Sequence, residues 1–249
     1  MTSINNKKGS ILITGCSAGI GLHLSQAMLD DGWEVYGISR SNSPIKNSRF
    51  HQINADLHSN VDVNNVIRHI VKLNIHVLIN NVGGHGPICE FDKVSMDEWI
   101  RTFTLNLFSP LRITQQLIPK MRRNRGSIIF LSGGGSAYPL VNFSSYGVSK
   151  TAVVRMAEVL AKELSPEISV YAMAPGPNRT QLLNDAIAAG DNVSEERIVS
   201  FDKPIKLVRF LINNKDKRYS GKFIHVNDSY EDWSSNKLTN DNYTLRRVE

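Results

Sequence analysis

The sequence predicts an α/β fold: a doubly wound parallel sheet covered by helices on both faces, in three layers and one domain. Short apolar segments alternate along the 249-residue chain with longer segments whose apolar residues recur every three or four positions, as on one face of a helix. The short segments are apolar throughout, which is typical of strands that are buried on both faces. This alternation indicates a parallel sheet, and no linker or composition break divides the chain.

The order of these segments places each element. We expect strands at residues 10–14, 34–38, 76–79, 127–131, 168–173 and 222–226, with another just before Ala55. We expect helices from Ile20 to Gly32, at residues 61–73, at residues 99–111 and at residues 146–164. Residues 1–230 are therefore predicted to form the domain, and residues 231–249 a C-terminal tail or arm.

The composition excludes several classes of protein. Apolar residues make up 41% and charged residues 21% of the chain, values typical of a globular protein. No apolar run approaches the roughly 18 residues of a membrane span, and residues 1–9 lack the apolar core of a signal peptide. Cys16 and Cys89 are too few for a disulfide framework or a metal cluster, so we expect a cytoplasmic protein without a bound metal.

The net charge of +6 raises the question of nucleic-acid binding. Basic residues cluster at 120–125 and 215–218, but each cluster lies beside turn residues and carries no interleaved aromatic side chains. Solvated helix ends explain both clusters. We therefore expect neither a nucleic acid nor a membrane as a partner, but a positive field suited to a phosphorylated small molecule.

A glycine-rich turn joins the first predicted strand to the first predicted helix. The segment reads Thr14-Gly15-Cys16-Ser17-Ala18-Gly19-Ile20-Gly21. Its glycines allow a tight turn and a close approach to a ligand, and the N–H groups that begin the helix suit a pyrophosphate. A glycine pattern alone could be only a tight turn, but its position after the first strand predicts a dinucleotide site. The residues expected to contact the cofactor here are Gly15, Ser17, Gly19, Ile20 and Gly21.

The end of the second strand indicates which dinucleotide binds. An acidic residue there would bind the ribose hydroxyls of NAD and repel the 2′-phosphate of NADP. This chain has Ser39, Arg40 and Ser41 instead, and a guanidinium suits a phosphate dianion. The alternative is an ordinary surface arginine at a strand end. With the glycine turn in place, the sequence favours NADP(H) over NAD(H), bound by these three residues.

The spacing of the glycines from Gly15 to Gly21 resembles the motif of the short-chain dehydrogenases/reductases, which have a Rossmann-type fold. Other motifs of that family follow in the family's order. They are Asp56-Leu57, Asn81-Val82-Gly83, Asn106, Tyr146-x-x-x-Lys150, Pro175-Gly176 and Thr180. The resemblance spans residues 10–230 and implies an oxidoreductase that moves a hydride between NADP(H) and a carbonyl or alcohol. It also implies cofactor contacts by Asp56, Leu57, Asn81, Val82, Gly83, Tyr146, Lys150, Pro175, Gly176 and Thr180.

Tyr146 and Lys150 lie four residues apart, on one face of a predicted helix. A tyrosine pKa near 10 prevents easy action as a base at neutral pH, and lowering it by ~3 units requires about 4 kcal/mol. The Lys150 ammonium and the positive charge of oxidised nicotinamide are the expected source of that energy. By resemblance, Tyr146 protonates the carbonyl oxygen during reduction, Lys150 also holds the nicotinamide ribose, and Asn106 holds a water in the proton relay.

The active-site serine of the family has no direct counterpart. Its usual position, about thirteen residues before the tyrosine, is Gly133 in this chain. A slip of one residue in the loop Gly133-Gly134-Gly135 would bring Ser132 into the site, so we assign the role to Ser132, with Ser136 as the competitor. If neither hydroxyl reaches the substrate, Tyr146 alone stabilises the oxyanion and activity should be poor.

Further departures from the family bear on the substrate. Asn178 stands where the family has a valine or isoleucine near the carboxamide, and the region between Thr180 and Pro204 is short and polar. We therefore expect a small polar ketone or a keto-sugar rather than a steroid. His85 could line the substrate pocket, although a lone histidine beside glycines is more often structural.

The C-terminal segment resembles a bacterial subgroup linked to surface polysaccharides and nucleotide sugars. The shared features are Ser132 with the three glycines after it, residues 139–146, Trp233 and the closing Tyr-Thr-Leu-Arg-Arg. Arg246 and Arg247 could reach a phosphate of such a substrate, or they could belong to a solvated tail.

Three functions remain open from the sequence. The first is the reductase, favoured by the set of Asn106, Tyr146 and Lys150. The second is a catalytically weak or inactive dinucleotide sensor, favoured by Gly133. The third is an epimerase or dehydratase of nucleotide sugars, for which the chain lacks a sizeable C-terminal substrate domain. By resemblance, we also expect a homodimer or homotetramer formed through the helices that carry Asn106 and Tyr146.

Overall fold

The computed structural model describes residues 8–214, 216–233 and 242–245. Its sheet has seven parallel strands in the order β3-β2-β1-β4-β5-β6-β7. The strands are β1 (Ser10–Thr14), β2 (Glu34–Ser39), β3 (Phe50–Asn54), β4 (Val77–Asn80), β5 (Ser127–Leu131), β6 (Ser169–Ala174) and β7 (Phe223–His225). The parallel sheet confirms the predicted α/β class and the single domain, and the strand positions agree with the expected ones to within one residue.

Helices cover both faces of the sheet. They are α1 (Gly19–Asp30), α2 (Asn60–Ile70), α3 (Met96–Phe103), α4 (Ser109–Asn124), α5 (Ser144–Glu163), α6 (Gln181–Ala188) and α7 (Asp202–Asn213). Helices α1 and α7 pack on one face, whereas α2, α4 and α5 pack on the other, which confirms the three layers. Among the described helices, none has both the length and the apolar character to cross a membrane.

Consecutive residues of the central strands pack into opposite cores. In β1, Ile11 and Ile13 lie in the core with α1 and α7, whereas Leu12 lies in the core with α2, α4 and α5. In β6, Tyr171 and Val170 divide in the same way, and all five side chains are fully buried. Because neither face of such a strand meets water, the sequence shows an unbroken apolar run there.

The single long helix expected at residues 99–111 is interrupted. Helix α3 ends at Phe103, and a π-helical segment, Thr104–Phe108, links it to α4. Pro110 lacks the N–H that would donate to the Asn106 carbonyl in a regular α-helix, so the regular hydrogen-bond pattern cannot continue here. Wider turns of this kind occur frequently at functional sites. Asn106 lies in the middle of this one and is 3% exposed.

The strand order reverses beside β1, which pairs with β2 on one side and β4 on the other. In a doubly wound sheet, the connections leave such a point in opposite directions and open a crevice beyond the carboxyl ends of the strands. The glycine turn that follows β1 and the loop that follows β4 both lie at this crevice. The fold therefore places the predicted site residues at the ligand-binding edge of the sheet.

The described part of the C-terminal segment packs along the β7 edge of the sheet. The Phe223 N–H of β7 donates to the Tyr243 carbonyl (2.8 Å), and the Leu245 N–H donates to Glu158 Oε1 of α5 (2.6 Å). The Tyr243 ring stacks on Trp233 with ring centres 3.9 Å apart. This segment therefore adds contacts to the domain instead of extending into solvent.

Arg246 and Arg247, considered above as phosphate ligands, lie outside the described residues. The preceding Leu245 packs against the core beneath α5, and its carbonyl accepts a hydrogen bond from Arg155 Nη2 (2.6 Å). The chain that leads to the two arginines thus runs against α5.

We expect Tyr243→Ala to lower the free energy of unfolding by about 2 kcal/mol, because it removes a stacked aromatic side chain. Tyr243 has a left-handed backbone conformation (φ +57°), whose cost of roughly 1 kcal/mol the stack offsets. Urea unfolding measures the loss. Val61→Ala, at a side chain that is 68% exposed, serves as the control, and equal stabilities of the two variants would contradict the prediction.

Candidate active site

The turn after β1 brings the backbone of the first turn of α1 close to the backbone at the end of β1. A Cβ on Gly21 would lie 2.0 Å from the Gly15 carbonyl oxygen, so no larger residue fits there unless the turn moves. Gly15 is left-handed (φ +75°) and donates its N–H to the Ile38 carbonyl of β2 (2.7 Å). Gly19 is left-handed as well (φ +53°), and a Cβ there would meet Thr180 at 2.9 Å. The result is a cradle of backbone at the start of α1, which a side chain would fill and which suits a pyrophosphate.

The loop after β4 is tied to this cradle. Thr14 Oγ1 accepts hydrogen bonds from the backbone N–H groups of Asn81 and Val82, both at 3.0 Å. Asn81 Nδ2 donates in return to the Thr14 carbonyl (2.8 Å). These bonds join the carboxyl ends of β1 and β4, and they place the loop against the turn in which Ser17 and Ile20 lie half-buried.

Ser39, Arg40 and Ser41 follow the carboxyl end of β2. Ser39 is buried, donates to the Ser41 carbonyl (2.8 Å) and accepts a hydrogen bond from Gln52 Nε2 (3.2 Å). Its hydroxyl therefore shapes the turn. Arg40 and Ser41 are exposed beside it, where a guanidinium can meet a ligand that enters from solvent.

Two arginines act on His58, which follows Asp56 and Leu57 at the carboxyl end of β3. Asp56 Oδ1 accepts the His58 backbone N–H (3.0 Å), and Leu57 between them is buried. Burial lowers the pKa of the His58 imidazole, the Asp56 carboxylate opposes this shift, and the charges of Arg101 and Arg40 add to it. The two arginines therefore lie close enough to act on one imidazole beside Asp56.

Asn106 is held at both ends of its amide. Its Nδ2 donates to the Gly84 carbonyl (2.9 Å) and to Ser149 Oγ (2.9 Å), and its Oδ1 accepts the Gly84 N–H (2.9 Å). A Cβ on Gly83 would lie 3.0 Å from Lys150 Nζ and 3.4 Å from Asn106 Oδ1, so this glycine lets three elements converge. The Asn106 amide thus fastens the π-helical segment to the β4 loop and to α5.

Tyr146 and Lys150 lie in the first two turns of α5 and are 9% and 4% exposed. Lys150 Nζ donates to the Leu131 carbonyl at the end of β5 (2.9 Å) and lies 6.0 Å from the centre of the Tyr146 ring. Two groups that can exchange protons are therefore buried together at the carboxyl edge of the sheet.

Burial shifts both pKa values toward the uncharged forms. It raises the pKa of Tyr146 to about 12 and lowers the pKa of Lys150 to about 8. The expected lowering of the tyrosine pKa by Lys150 and oxidised nicotinamide together stays a prediction. Burial is the largest cause of the first shift, and Tyr138 adds to it, whereas the Lys150 ammonium donates its hydrogen bond to the Leu131 carbonyl. Tyr146 is therefore a neutral phenol at pH 7 and suited to donating a proton, and Lys150 is mostly charged.

Ser132 and Ser136 bond to backbone and to each other. Ser132 Oγ lies 3.0 Å from the Lys150 carbonyl and 2.9 Å from Ser136 Oγ, which donates to the Gly133 carbonyl (2.6 Å). Gly133 lies against the tyrosine: a Cβ there would lie 2.3 Å from the Tyr146 hydroxyl oxygen. In this geometry, Ser132 fastens α5 to the end of β5, and its assignment as the substrate-orienting serine stays a prediction. The Tyr146 hydroxyl fills the space that a serine at position 133 would need.

The segment after β6 closes the far side of the crevice. Gly176 is left-handed (φ +66°), and Asn178 Nδ2 donates to the carbonyls of Pro175 (2.7 Å) and Gly176 (2.9 Å). Thr180 caps the start of α6, where its Oγ1 accepts the Leu183 N–H (3.3 Å). Asn178 is 3% exposed, and its Oδ1 has no hydrogen-bond partner within the described ranges.

Sequence reasoning missed three groups that hold the site together: the Leu131 carbonyl, Ser149 and Gly84. Ser149 lies inside the Tyr-x-x-x-Lys motif, and Gly84 directly follows Gly83, so proximity to a motif was the available signal for both. No sequence signal marks the Leu131 carbonyl, because every residue carries one.

We expect Lys150→Met to raise the free energy of unfolding at pH 7 by about 2 kcal/mol. Lowering the lysine pKa from 10.5 to about 8 corresponds to roughly 3 kcal/mol of destabilisation, and the lost hydrogen bond subtracts about 1 kcal/mol. Between about pH 8 and 10.5, this lysine is protonated in the unfolded state but neutral in the folded state. The stability of the native protein therefore rises with pH over that range, and the stability advantage of the variant shrinks. Urea unfolding at both ends of the range measures this, and a variant that is less stable at pH 7 would contradict it.

The sequence of this chain is similar to those of known dehydrogenases and reductases. A family model described as short chain dehydrogenase matches residues 9–190. The protein FixR of Bradyrhizobium diazoefficiens is 28% identical over 238 residues, which cover 87% of this chain and 84% of FixR. A 3-ketodihydrosphingosine reductase of Bacteroides thetaiotaomicron is 30% identical over 208 residues, which cover 80% of this chain and 75% of the reductase.

Solved structures share the same architecture. The ligand-free aldohexose dehydrogenase of Thermoplasma acidophilum superimposes with a TM-score of 0.79 at 26% identity, over 88% of this chain and 92% of that one. The span of the family model contains the glycine turn, Asn106, Tyr146 and Lys150. This chain therefore belongs to the short-chain dehydrogenase/reductase family and is an oxidoreductase that uses a nicotinamide dinucleotide.

Proposed function

We propose that this oxidoreductase uses NADP(H) and reduces the carbonyl group of a small polar ketone or keto-sugar. The observation that carries the proposal is the buried pair of Tyr146 and Lys150 beside the glycine cradle. An ammonium that is 4% exposed destabilises a fold. Strongly shifted pKa values in a crevice favour a chemical role for such groups over a structural one.

A bound reduced nicotinamide would supply the hydride that adds to the carbonyl carbon. Tyr146, whose pKa is about 12, donates its proton to the carbonyl oxygen, so that C=O becomes CH–OH and the tyrosine is left as phenolate. Lys150, which is charged at pH 7 because its pKa is about 8, stabilises the phenolate and returns a proton to it. Tyr146 and Lys150 therefore supply the proton that the reduction consumes.

The proton relay rests on the π-helical segment. Ser149 Oγ accepts a hydrogen bond from Asn106 Nδ2 (2.9 Å) and donates to the Tyr146 carbonyl (2.9 Å), so Asn106 and the tyrosine are held in one network. The Asn106 carbonyl has no α-helical donor at Pro110, and in this proposal it holds the water that leads from Lys150 to solvent.

The preference for NADP(H) rests on charge at the carboxyl ends of β2 and β3. Arg40 is exposed there, and its charge reaches His58 together with that of Arg101. A 2′-phosphate would find positive groups at this position, where an acidic residue would repel it. The cradle formed by Gly15 and Gly21, which a Cβ would fill, suits the pyrophosphate.

A polar substrate suits the side chains near α6. Asp185 and Asp191 lie close enough to His85 to oppose the lowering of its pKa by burial. Arg197 Nη2 donates to the Tyr138 hydroxyl (3.3 Å). The names of two similar proteins, an aldohexose dehydrogenase and a 3-ketodihydrosphingosine reductase, support hydride chemistry on oxygenated substrates.

A second candidate, a dinucleotide-binding sensor without strong catalysis, is favoured by one observation. Gly133 offers no hydroxyl at the usual serine position, and the hydroxyls of Ser132 and Ser136 bond to backbone. A site with one proton donor and no second donor to the oxyanion would be slow.

We further propose a cytoplasmic homodimer or homotetramer without nucleic-acid or membrane partners. Large apolar side chains lie about half exposed on adjoining helices. They are Met96, Ile100, Phe108 and Val148. Their position on α3, the π-helical segment and α5 supports pairing through the helices that carry the site. The unpaired thiols of Cys16 and Cys89 support a reducing compartment.

The central experiment follows NADPH absorbance with a panel of ketones, aldehydes and keto-sugar nucleotides. We expect turnover by the native protein, and a loss of about 10³-fold in kcat with Tyr146→Phe, which removes the proton donor. Tyr243→Phe, in the C-terminal segment, serves as the matched control. NADPH binding with no turnover across the panel would favour the sensor.

For cofactor choice, we expect Arg40→Ala to raise the KM for NADPH by about 10- to 100-fold, because a charge-assisted contact to the 2′-phosphate is lost. The KM for NADH should change by less than about threefold, since NADH has no such phosphate. Arg123→Ala, exposed in the last turn of α4, is the control. An equal change for both cofactors would argue against a phosphate contact.

A further inference from the structure

His85 has a fixed position beside the candidate proton donor. Ser145 Oγ, at the start of α5, donates to the His85 carbonyl (3.0 Å). The next residue, Gly86, is left-handed (φ +68°), and a Cβ there would lie 1.9 Å from Thr102 Oγ1 of α3. The β4 loop is therefore packed against α5 at His85 and against α3 at Gly86, which fixes the backbone that carries the imidazole.

The imidazole contacts two aromatic rings and leaves one nitrogen unsatisfied. It stands perpendicular (87°) to the rings of Tyr146 and Phe143, with ring centres 4.8 Å and 5.2 Å apart. Its Nδ1 is buried and has no hydrogen-bond partner among the described residues. Such an atom costs about 1–3 kcal/mol. A phenylalanine would make the same ring contacts without that cost, so packing alone does not account for a histidine.

Other polar groups around Tyr146 are already engaged. Lys150 Nζ bonds to the Leu131 carbonyl, and Ser132 Oγ bonds to the Lys150 carbonyl. Gly133 has no side chain to offer. Among these neighbours of the tyrosine, His85 is the one whose side chain has a polar atom without a partner in the described residues.

The position of the imidazole indicates which substrate atom it meets. The hydroxyl end of Tyr146 points at Gly133, whose Cβ position lies 2.3 Å from the hydroxyl oxygen, whereas the imidazole stands against the tyrosine ring. The imidazole is therefore set back from the oxygen that Tyr146 protonates. A substrate group that the imidazole binds would therefore be a group other than the oxygen that accepts the proton.

Building on the proposed function, we propose that His85 binds a second oxygen of the substrate, on the carbon next to the carbonyl that is reduced. The substrate class is then carbonyl compounds with an adjacent hydroxyl or carbonyl group. These are α-hydroxyketones, α-diketones and keto-sugars.

The charges around His85 are compatible with a neutral imidazole. Burial, the largest cause, lowers the pKa of His85; Asp185 and Asp191 on the α6 side raise it, and Lys150 of α5 lowers it. A neutral imidazole carries one donor and one acceptor nitrogen, so it can bind either a hydroxyl or a carbonyl oxygen.

Hydroxyacetone and butanone form a matched pair of substrates, because a methyl group in butanone replaces the hydroxyl of hydroxyacetone. His85→Phe keeps the ring contacts with Tyr146 and Phe143 and removes the nitrogen. We expect kcat/KM for hydroxyacetone to fall about 10- to 100-fold, and at least about tenfold more than kcat/KM for butanone. His69→Phe, exposed in the last turn of α2, is the control.

A second measurement needs no turnover. Hydroxyacetone is titrated calorimetrically into Tyr146→Phe protein saturated with NADPH, with and without His85→Phe, and we expect the second change to raise Kd at least about tenfold. Equal losses for both substrates, or an unchanged Kd, would overturn the assignment of His85. If the native protein reduces neither compound but binding of hydroxyacetone still depends on His85, the proposed reductase fails and the assignment of His85 stands.

Discussion

Helix α1 begins so close to the end of β1 that a Cβ on Gly21 would lie 2.0 Å from the Gly15 carbonyl oxygen. Asn81 Nδ2 donates to that same carbonyl (3.2 Å), so the β4 loop takes its position from this turn. The β4 loop in turn carries Gly84, which holds both ends of the Asn106 amide. A larger residue in the turn would therefore displace the cofactor cradle, the β4 loop and the π-helical segment together.

The burial of the candidate active-site residues lowers the stability of the fold. Tyr146 and Lys150 are deprived of water, and burial favours the uncharged form of each. The surrounding hydrogen bonds offset part of this cost. The Leu131 carbonyl accepts a hydrogen bond from the Lys150 ammonium, and the hydroxyls of Ser132 and Ser149 bond to backbone carbonyls of α5. Ser132, which the sequence analysis assigned to substrate orientation, makes one of the hydrogen bonds that hold α5 in place.

Features that depend on neighbouring residues in the sequence could be predicted, whereas features that depend on contacts made in the folded chain could not. The strands could be placed because a run such as Ile11-Leu12-Ile13 is buried on both faces whatever lies around it. The π-helical segment could not, although Pro110 was visible, because a proline near the start of a helix is also compatible with a regular first turn. The geometry of the loop after Ser132 could not be predicted, because the conformation of three consecutive glycines depends on the neighbouring tyrosine. The direction of the Tyr146 pKa depended on burial, which a motif does not report.

The segment around Tyr243 also has a consequence for how separate molecules meet. β7 is the last strand of the sheet, and an uncovered edge strand presents backbone groups to which a strand of another chain can add. The Tyr243 carbonyl occupies the Phe223 N–H on that edge, and the stacked rings of Tyr243 and Trp233 lie beside it. One backbone donor on this edge is thus already engaged within the chain, which disfavours the addition of a strand from another molecule there.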